Sequence, residues 1–234
     1  MPAMLDDPTS NMVRRVEGKR GFFTLPSSPE SILPRKVTLK DGRKATIIPF
    51  TSPTQVPLQL SAVLCSQLNQ EIEKGDTYPM VDPMALDFFH GYWFALFGAV
   101  MLLGEYESAD QISTLQGVNW EELCLGSFYV KPNYPGRSSH VCNGGFLVTE
   151  AARNRGVGRL LGEAYLEWAP KLGYRYSVFN LVYETNVASC RIWDALGFKQ
   201  VGRIKGCGYL GSYPDQFVDA IIYGYDFVSK AGEA

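Results

Sequence analysis

Arg153, Arg155 and Arg159 are threaded through Gly156 and Gly158 inside the run GGFLVTEAARNRGVGRLL, residues 144–161. A strand over 145–148 that feeds a glycine-bearing turn at a helix start exposes several N–H groups. Together with the positive end of the helix dipole they form a site for a phosphate or pyrophosphate. Glycine lets such a ligand approach the backbone, and the arginines add charge. The spacing Arg153-x-x-Gly156-x-Gly158 carries neither the dinucleotide fingerprint nor the phosphate loop ending in Gly-Lys-Ser/Thr. A second set of polar residues, Asn143, Asn180 and Asn186, stands at the ends of otherwise apolar strands, where burial requires hydrogen-bond partners. An amide cannot act as a base, but it can orient an amine, a carbonyl or a water. Glu150 and Glu184 read as solvated turn residues, His140 as a loop surface residue, and His90 as a packed histidine within an apolar run.

The elements that must position these residues follow from periodicity. Val157, Leu160, Leu161, Ala164, Tyr165 and Trp168 recur at helical spacing. Pro170 and Gly173 break that pattern. Tyr174 to Tyr183 is a strand apolar on both faces and therefore central; Val187 to Leu196 is a helix closed by Gly197. Upstream, residues 36–50 predict two strands around Asp41-Gly42, and Val56 to Lys74 a helix stopped by Gly75 and Asp76. The apolar run Phe88 to Gly104 predicts a helix ending near Tyr92 or Trp93, then a buried strand from Ala95 to Leu103. Its length touches the lower limit for a membrane span, but His90, Gly91 and Gly98 interrupt it. Residues 108–122 read as a polar connection, Leu123 to Lys131 as a strand, 132–139 as a loop and Val141 to Val148 as one strand. Lys199 to Ile204 and Phe217 to Tyr225 complete a mixed α/β sheet.

Of 234 residues, 46% are hydrophobic and 20% charged, and the net charge is −2. This is an ordinary globular composition. It argues against a broad nucleic-acid surface. The five cysteines are odd in number and scattered, with no C-x-x-C pair. They point to reduced thiols in a cytoplasmic setting, without a disulfide framework or metal site. Residues 1–30 read as a loose extension and 31–230 as one domain. Arg14, Arg15, Lys19 and Arg20 leave a mitochondrial address open, against Asp6, Asp7 and Glu17, and a nuclear location is open too.

The glycine motif, preceded by Val148 and Glu150 and followed by the strand 176–183, Asn186, a short helix and Gly197-Phe198, resembles the acyl-CoA motif of the GNAT N-acetyltransferases. Within that family the chain is most similar to the fungal azetidine-2-carboxylate (cyclic imino acid) acetyltransferases. The strings that carry this are TYP at 77–79, GSFYVKPNYPGRSSHVCNGGFLV at 126–148, YLEWAPKLGYRYSVFNLV at 165–182 and VDAIIYG at 218–224. The resemblance implies a mostly antiparallel mixed sheet with helices on both faces and a splayed central strand pair. It implies acetyl-CoA as co-substrate, direct transfer without an acyl-enzyme, no metal, no membrane, and a small imino acid acceptor; a homodimer is compatible with it. Leu147, Val148, Arg153, Arg155, Gly156, Val157, Gly158, Arg159 and Asn186 are the implied cofactor residues. Asn143 is the implied catalytic residue, and Asn180 with Leu181 the substrate residues. The chain departs from the family where a general-acid tyrosine is expected, since Trp193 stands there, and Asn143 replaces a strand carboxylate. Two other functions stay open: a non-catalytic acyl-CoA-binding module, and transfer to protein N-termini or a polyamine.

Overall fold

A computed structural model describes residues 32–228; the extension assigned to residues 1–30 lies outside them. The chain opens with β1 (Arg35–Thr38) and β2 (Lys44–Phe50), joined by the turn at Asp41-Gly42. Next come α1 (Leu58–Lys74), α2 (Leu86–Phe94) and β3 (Gly98–Leu103). Helix α1 ends where sequence places its stop, with Gly75 left-handed at φ +70°. The segment read as a polar connection contains two short helices, α3 (Ala109–Ser113) and α4 (Trp120–Leu123). Ser108 and Asn119 cap them, each accepting a backbone N–H in the first turn, and each helix buries a single large residue, Ile112 or Trp120. One buried residue per helix leaves no periodicity to detect.

Strands β4 (Cys124–Tyr129), β5 (Lys131–Pro132), β6 (Val141–Asn143) and β7 (Phe146–Val148) follow. Helix α5 (Val157–Lys171), β8 (Tyr176–Tyr183), α6 (Val187–Leu196), β9 (Lys199–Tyr209) and β10 (Phe217–Asp226) complete the described chain. Strand β9 runs five residues beyond the expected end at Ile204, held in register with β10 as far as the pair Tyr209–Phe217.

The strands form two sheets, β1-β2-β3-β4-β7 and β5-β6-β8-β10-β9, antiparallel except for the pair β6–β8. Each sheet continues into the other through two broken strands. Only Val130 separates β4 from β5, and Gly144-Gly145 separate β6 from β7. The single strand expected over 141–148 is therefore two pieces, one in each sheet. Its break falls on glycine for steric reasons: a side chain at Gly145 would run into the Tyr129 ring, and a Cβ at Gly144 would lie 2.7 Å from the Tyr165 ring. Because β6 pairs with β8 only at Val141–Tyr176 and Cys142–Ser177, β7 and β8 diverge beyond that point. The splay is the consequence.

Helices cover both faces. Leu161, Tyr165 and Trp168 of α5 pack with Phe128 and Phe179 on one side. Leu60, Leu64 and Leu68 of α1 pack with Phe89 and Trp93 of α2 on the other. Tyr92, Trp93 and Phe94 are buried. His90 is a satisfied, packed histidine, its Nδ1 2.8 Å from Ser61 Oγ. Among the described residues no helix is long and apolar enough to cross a membrane. The five cysteines are free thiols.

Candidate active site

The splay opens a cavity of about 750 Å³ between β7 and β8. Phe146, Leu147 and Val148 line one side and Phe179, Leu181 and Val182 the other, while Ile192 and Trp193 of α6 close over it. Its mouth is the arginine–glycine turn. Gly156 caps α5 in the left-handed region (φ +85°) and supplies no side-chain cap to the start of the helix. The N–H groups of the first turn, at Val157, Gly158 and Arg159, have no acceptor within the helix. Arg153, Gly156, Val157, Gly158 and Arg159 all line the cavity. Arg155 does not. Its carbonyl instead accepts the Lys40 N–H at 3.4 Å, and that contact ties the β1–β2 turn to the mouth.

Two further charged residues belong to the mouth, and sequence reading passes over both. Lys40 lines it, and its Cε lies 3.3 Å from where a Cβ on Gly156 would project. Glu71 of α1 accepts from Arg153 at 2.6 Å and from Lys74 at 3.1 Å. Burial opposes the charge on Glu71, but the Arg153 and Lys74 bonds outweigh it and hold the carboxyl below its ordinary range. Arg153 is thus held at the mouth by a carboxylate 82 residues away.

Asn186, also on the lining, has a structural task. Its Oδ1 accepts the Ser189 N–H at 3.2 Å as the N-cap of α6, which leaves its Nδ2 for a ligand. Trp193 is buried and packs on Phe146 and Phe179, with ring centroids 4.7 Å from each. Glu150 and Glu184 are both exposed, and Glu184 pairs with Arg203.

At the other end of the splay, Asn143 and Asn180 do not line the cavity but belong to one buried amide cluster. Both bond to Asn133, a loop residue whose position carries no periodic signal. Asn143 Nδ2 donates to Asn133 Oδ1 at 3.0 Å. Asn133 and Asn180 exchange amide bonds in both directions, Asn133 Nδ2 reaching Asn180 Oδ1 at 3.1 Å. Asn133 and Asn143 are fully buried, and Asn180 is half-buried. The Asn133 N–H also bonds the Val141 carbonyl at 2.8 Å, which seats the loop on β6. Asparagine between two prolines just after a strand is the one sequence hint of Asn133.

Tyr78 joins the two ends. It lines the cavity and donates its hydroxyl to the Phe146 carbonyl at 2.8 Å. Burial, with smaller contributions from Tyr92 and Glu71, pushes this phenol well above its ordinary value, so the hydroxyl keeps its proton and acts as a donor at neutral pH. Among the described residues no cluster of three or more His, Cys, Asp or Glu could hold a metal ion.

The chain matches the acetyltransferase (GNAT) family over residues 85–198. It is 45% identical over 175 residues to the N-acetyltransferase aca1 of Schizosaccharomyces pombe, an alignment spanning 73% of this chain and 82% of that protein. It is also 35% identical to protein SPT10 of Saccharomyces cerevisiae over 96% of this chain, which spans only 40% of that longer protein. In fold it resembles a GCN5-related N-acetyltransferase from Kribbella flavida (TM-score 0.61, 23% identity, 77% of this chain and 97% of that one). It also resembles yncA of Salmonella typhimurium, a putative acetyltransferase solved with its cofactor acetyl-CoA (TM-score 0.58, 14% identity, 77% of this chain and 94% of that one). The cavity between diverging strands, the uncapped helix start at its mouth and these matches agree: the chain belongs to the GNAT family of N-acetyltransferases.

Proposed function

We propose that the protein transfers an acetyl group from acetyl-CoA directly to a small, proline-like secondary amine such as azetidine-2-carboxylate or hydroxyproline. The observation that carries this reading is the cavity itself. It has a helix start beside Arg153, Arg159 and Lys40 at its mouth and apolar walls within, and the amide cluster lies next to it, Asn180 standing between the lining residues Phe179 and Leu181. A pyrophosphate fits the first turn of α5 beside Arg153, Arg159 and Lys40, and a pantetheine arm fits the gap between β7 and β8. Backbone N–H near Val148 would face the thioester carbonyl and stabilise the negative charge that develops there. The amine attacks that carbonyl carbon in its neutral form, the C–S bond breaks to release the CoA thiolate, and the proton lost by the nitrogen passes through solvent to that thiolate, leaving the N-acetylated amine and free CoA. Asn180, half-buried, is assigned to the acceptor, with Leu181 as its apolar wall. Asn143 lies behind it and acts through the amide cluster that it anchors.

The wall chemistry supports a small acceptor over the alternatives. A polyamine site needs carboxylates, yet among the described residues Glu71 is the sole acidic residue of the lining and is already engaged by Arg153 and Lys74. A non-catalytic acyl-CoA module does not need an oriented amide cluster beyond the thioester end. The experiment is CoA release from acetyl-CoA across a panel of azetidine-2-carboxylate, hydroxyproline, spermidine and a peptide with a free N-terminus. Release with the cyclic imino acids alone is the expected result. Acetyl-CoA binding without release would leave only the binding module, and release with the peptide or spermidine would replace the acceptor class.

A further inference from the structure

The gap between β7 and β8 narrows toward the last β6–β8 pair, Cys142–Ser177. Two residues beyond that pair, Gly144 and Phe179 both line the cavity. Here aromatic rings close the space. Phe146 from β7, Phe179 from β8 and Trp193 from α6 touch one another. The centroids of the two phenylalanines are 5.7 Å apart, and each lies 4.7 Å from that of the tryptophan. A second tier stands behind: Tyr165 is 5.3 Å from Phe146 and 5.5 Å from Phe179, and Phe198 is 4.8 Å from Phe179. Rings backed at interior packing density cannot withdraw to admit extra atoms without strain.

The backbone of β8 keeps these rings apart from the amides. Phe179 and Val182 pack in one core with Phe146 and Val148 of β7. Between them β8 bulges: Phe179 pairs with Tyr223 and Val182 with Ile221, so Asn180 and Leu181 together oppose the single residue Ile222. The bulge turns both away from the rings. Asn180 bonds Asn133, and Leu181 packs with a separate cluster of Tyr183, Leu210 and Val218. A pantetheine arm that enters from the mouth carries its acyl group ahead of the sulfur. Carbon atoms beyond the carbonyl therefore run toward Gly144 and the rings, while the amine approaches from the amide side. We propose that the rings of Phe146 and Phe179 are the stop for the donor's acyl chain, leaving room for the methyl of an acetyl group and excluding propionyl and longer chains. This deepens the acetyl-CoA reading above and rests on it.

The test measures CoA release from acetyl-, propionyl- and butyryl-CoA with azetidine-2-carboxylate saturating, in the intact protein and in Phe146→Leu and Phe179→Leu. One methylene too many in a fitted apolar pocket costs about ten- to two-hundredfold in kcat/KM. The intact protein should favour acetyl- over propionyl-CoA by that factor and use butyryl-CoA least. Each leucine variant should cut the preference about tenfold through faster turnover of propionyl-CoA, a gain that a misfolded protein cannot show. Phe146 is only half-buried, and its carbonyl, which holds the Tyr78 hydroxyl, is untouched by Phe146→Leu, so this variant folds. Equal use of acetyl- and propionyl-CoA by the intact protein overturns the stop. So does the whole preference surviving in variants that bind acetyl-CoA normally. If the intact protein releases CoA from none of the three, the acceptor reading has failed, and calorimetry decides the stop instead. Propionyl-CoA must then bind more weakly than acetyl-CoA to the intact protein and not to Phe146→Leu; equal affinities in the intact protein overturn it. If acetyl-CoA itself does not bind, the donor reading fails and the inference falls with it.

Discussion

The two ends of the cavity are built in different ways. The mouth is built mainly from one local stretch, residues 153–159 without Arg155, with Lys40 and Glu71 beside it, and the direction of its first-turn N–H groups is set by the helix itself. The amide cluster beside the cavity takes Asn133 from a loop, Asn143 from β6 and Asn180 from β8, and Tyr78 of the lining comes from the α1–α2 connection. There the groups are side chains, and each is oriented by another. A local motif tolerates change around it as long as the helix forms. An assembled cluster fails as a unit, because removing one amide leaves its buried partners unsatisfied at about 1–3 kcal/mol each.

Six substitutions sharpen or break this contrast. The largest effect is expected at the mouth. In Gly158→Val the new Cβ would lie 3.0 Å from the flexible end of Ile192 and in ordinary contact with Val148, so the fold survives while the helix start narrows. The dissociation constant for acetyl-CoA should rise on the order of a hundredfold, about 2.7 kcal/mol, with an acceptor KM that does not move. Unchanged acetyl-CoA binding by calorimetry would remove the pyrophosphate from this turn.

Next come the amides. Asn143→Ala should lower kcat about ten- to a hundredfold, and Asn180→Ala should chiefly raise the amine KM. Since both bond to Asn133, their effects should fall short of additive in the double variant, and Asn133→Ala alone should reproduce much of both. Strict additivity would mean that the two asparagines act independently and that the cluster only packs. A change confined to the acetyl-CoA KM would move them to the donor end.

A smaller effect is expected at the junction. Tyr78→Phe removes one hydrogen bond to the Phe146 carbonyl, worth about 0.5–1.5 kcal/mol, so kcat/KM should fall roughly two- to tenfold. Acetyl-CoA affinity should change little; a loss of binding as large as that of Gly158→Val would make Tyr78 a cofactor residue. Least of all should change in Trp193→Phe, because that ring packs on Phe146 and Phe179. We expect kcat within about threefold and a melting temperature lower by a few degrees. A hundredfold loss of kcat with normal stability would reveal a chemical role for the indole.

The difference between the two ends also explains what could be read in advance. Helices α1, α5 and α6, the hairpin of β1 and β2, and the arginine–glycine mouth are legible in the chain because their signals are local: apolar spacing, capping glycines, a turn at Asp41-Gly42. Asn143 and Asn180 stand out as polar residues in apolar strands, so they could be singled out, but their link through Asn133 could not. Nor could the helices α3 and α4, each with only one buried residue, or the break at Gly144-Gly145, whose cause is a tyrosine ring from the neighbouring strand.

What sequence by itself determined is the set of elements, their order and the backbone anion site, since each depends on residues a few positions apart. The tertiary structure decided the splay, the pairing of Glu71 with Arg153 and the amide cluster. These depend on which strands become neighbours and where pairing stops. That is settled by packing between residues far apart in the chain, such as Tyr129 against Gly145 and Tyr92 over Lys131.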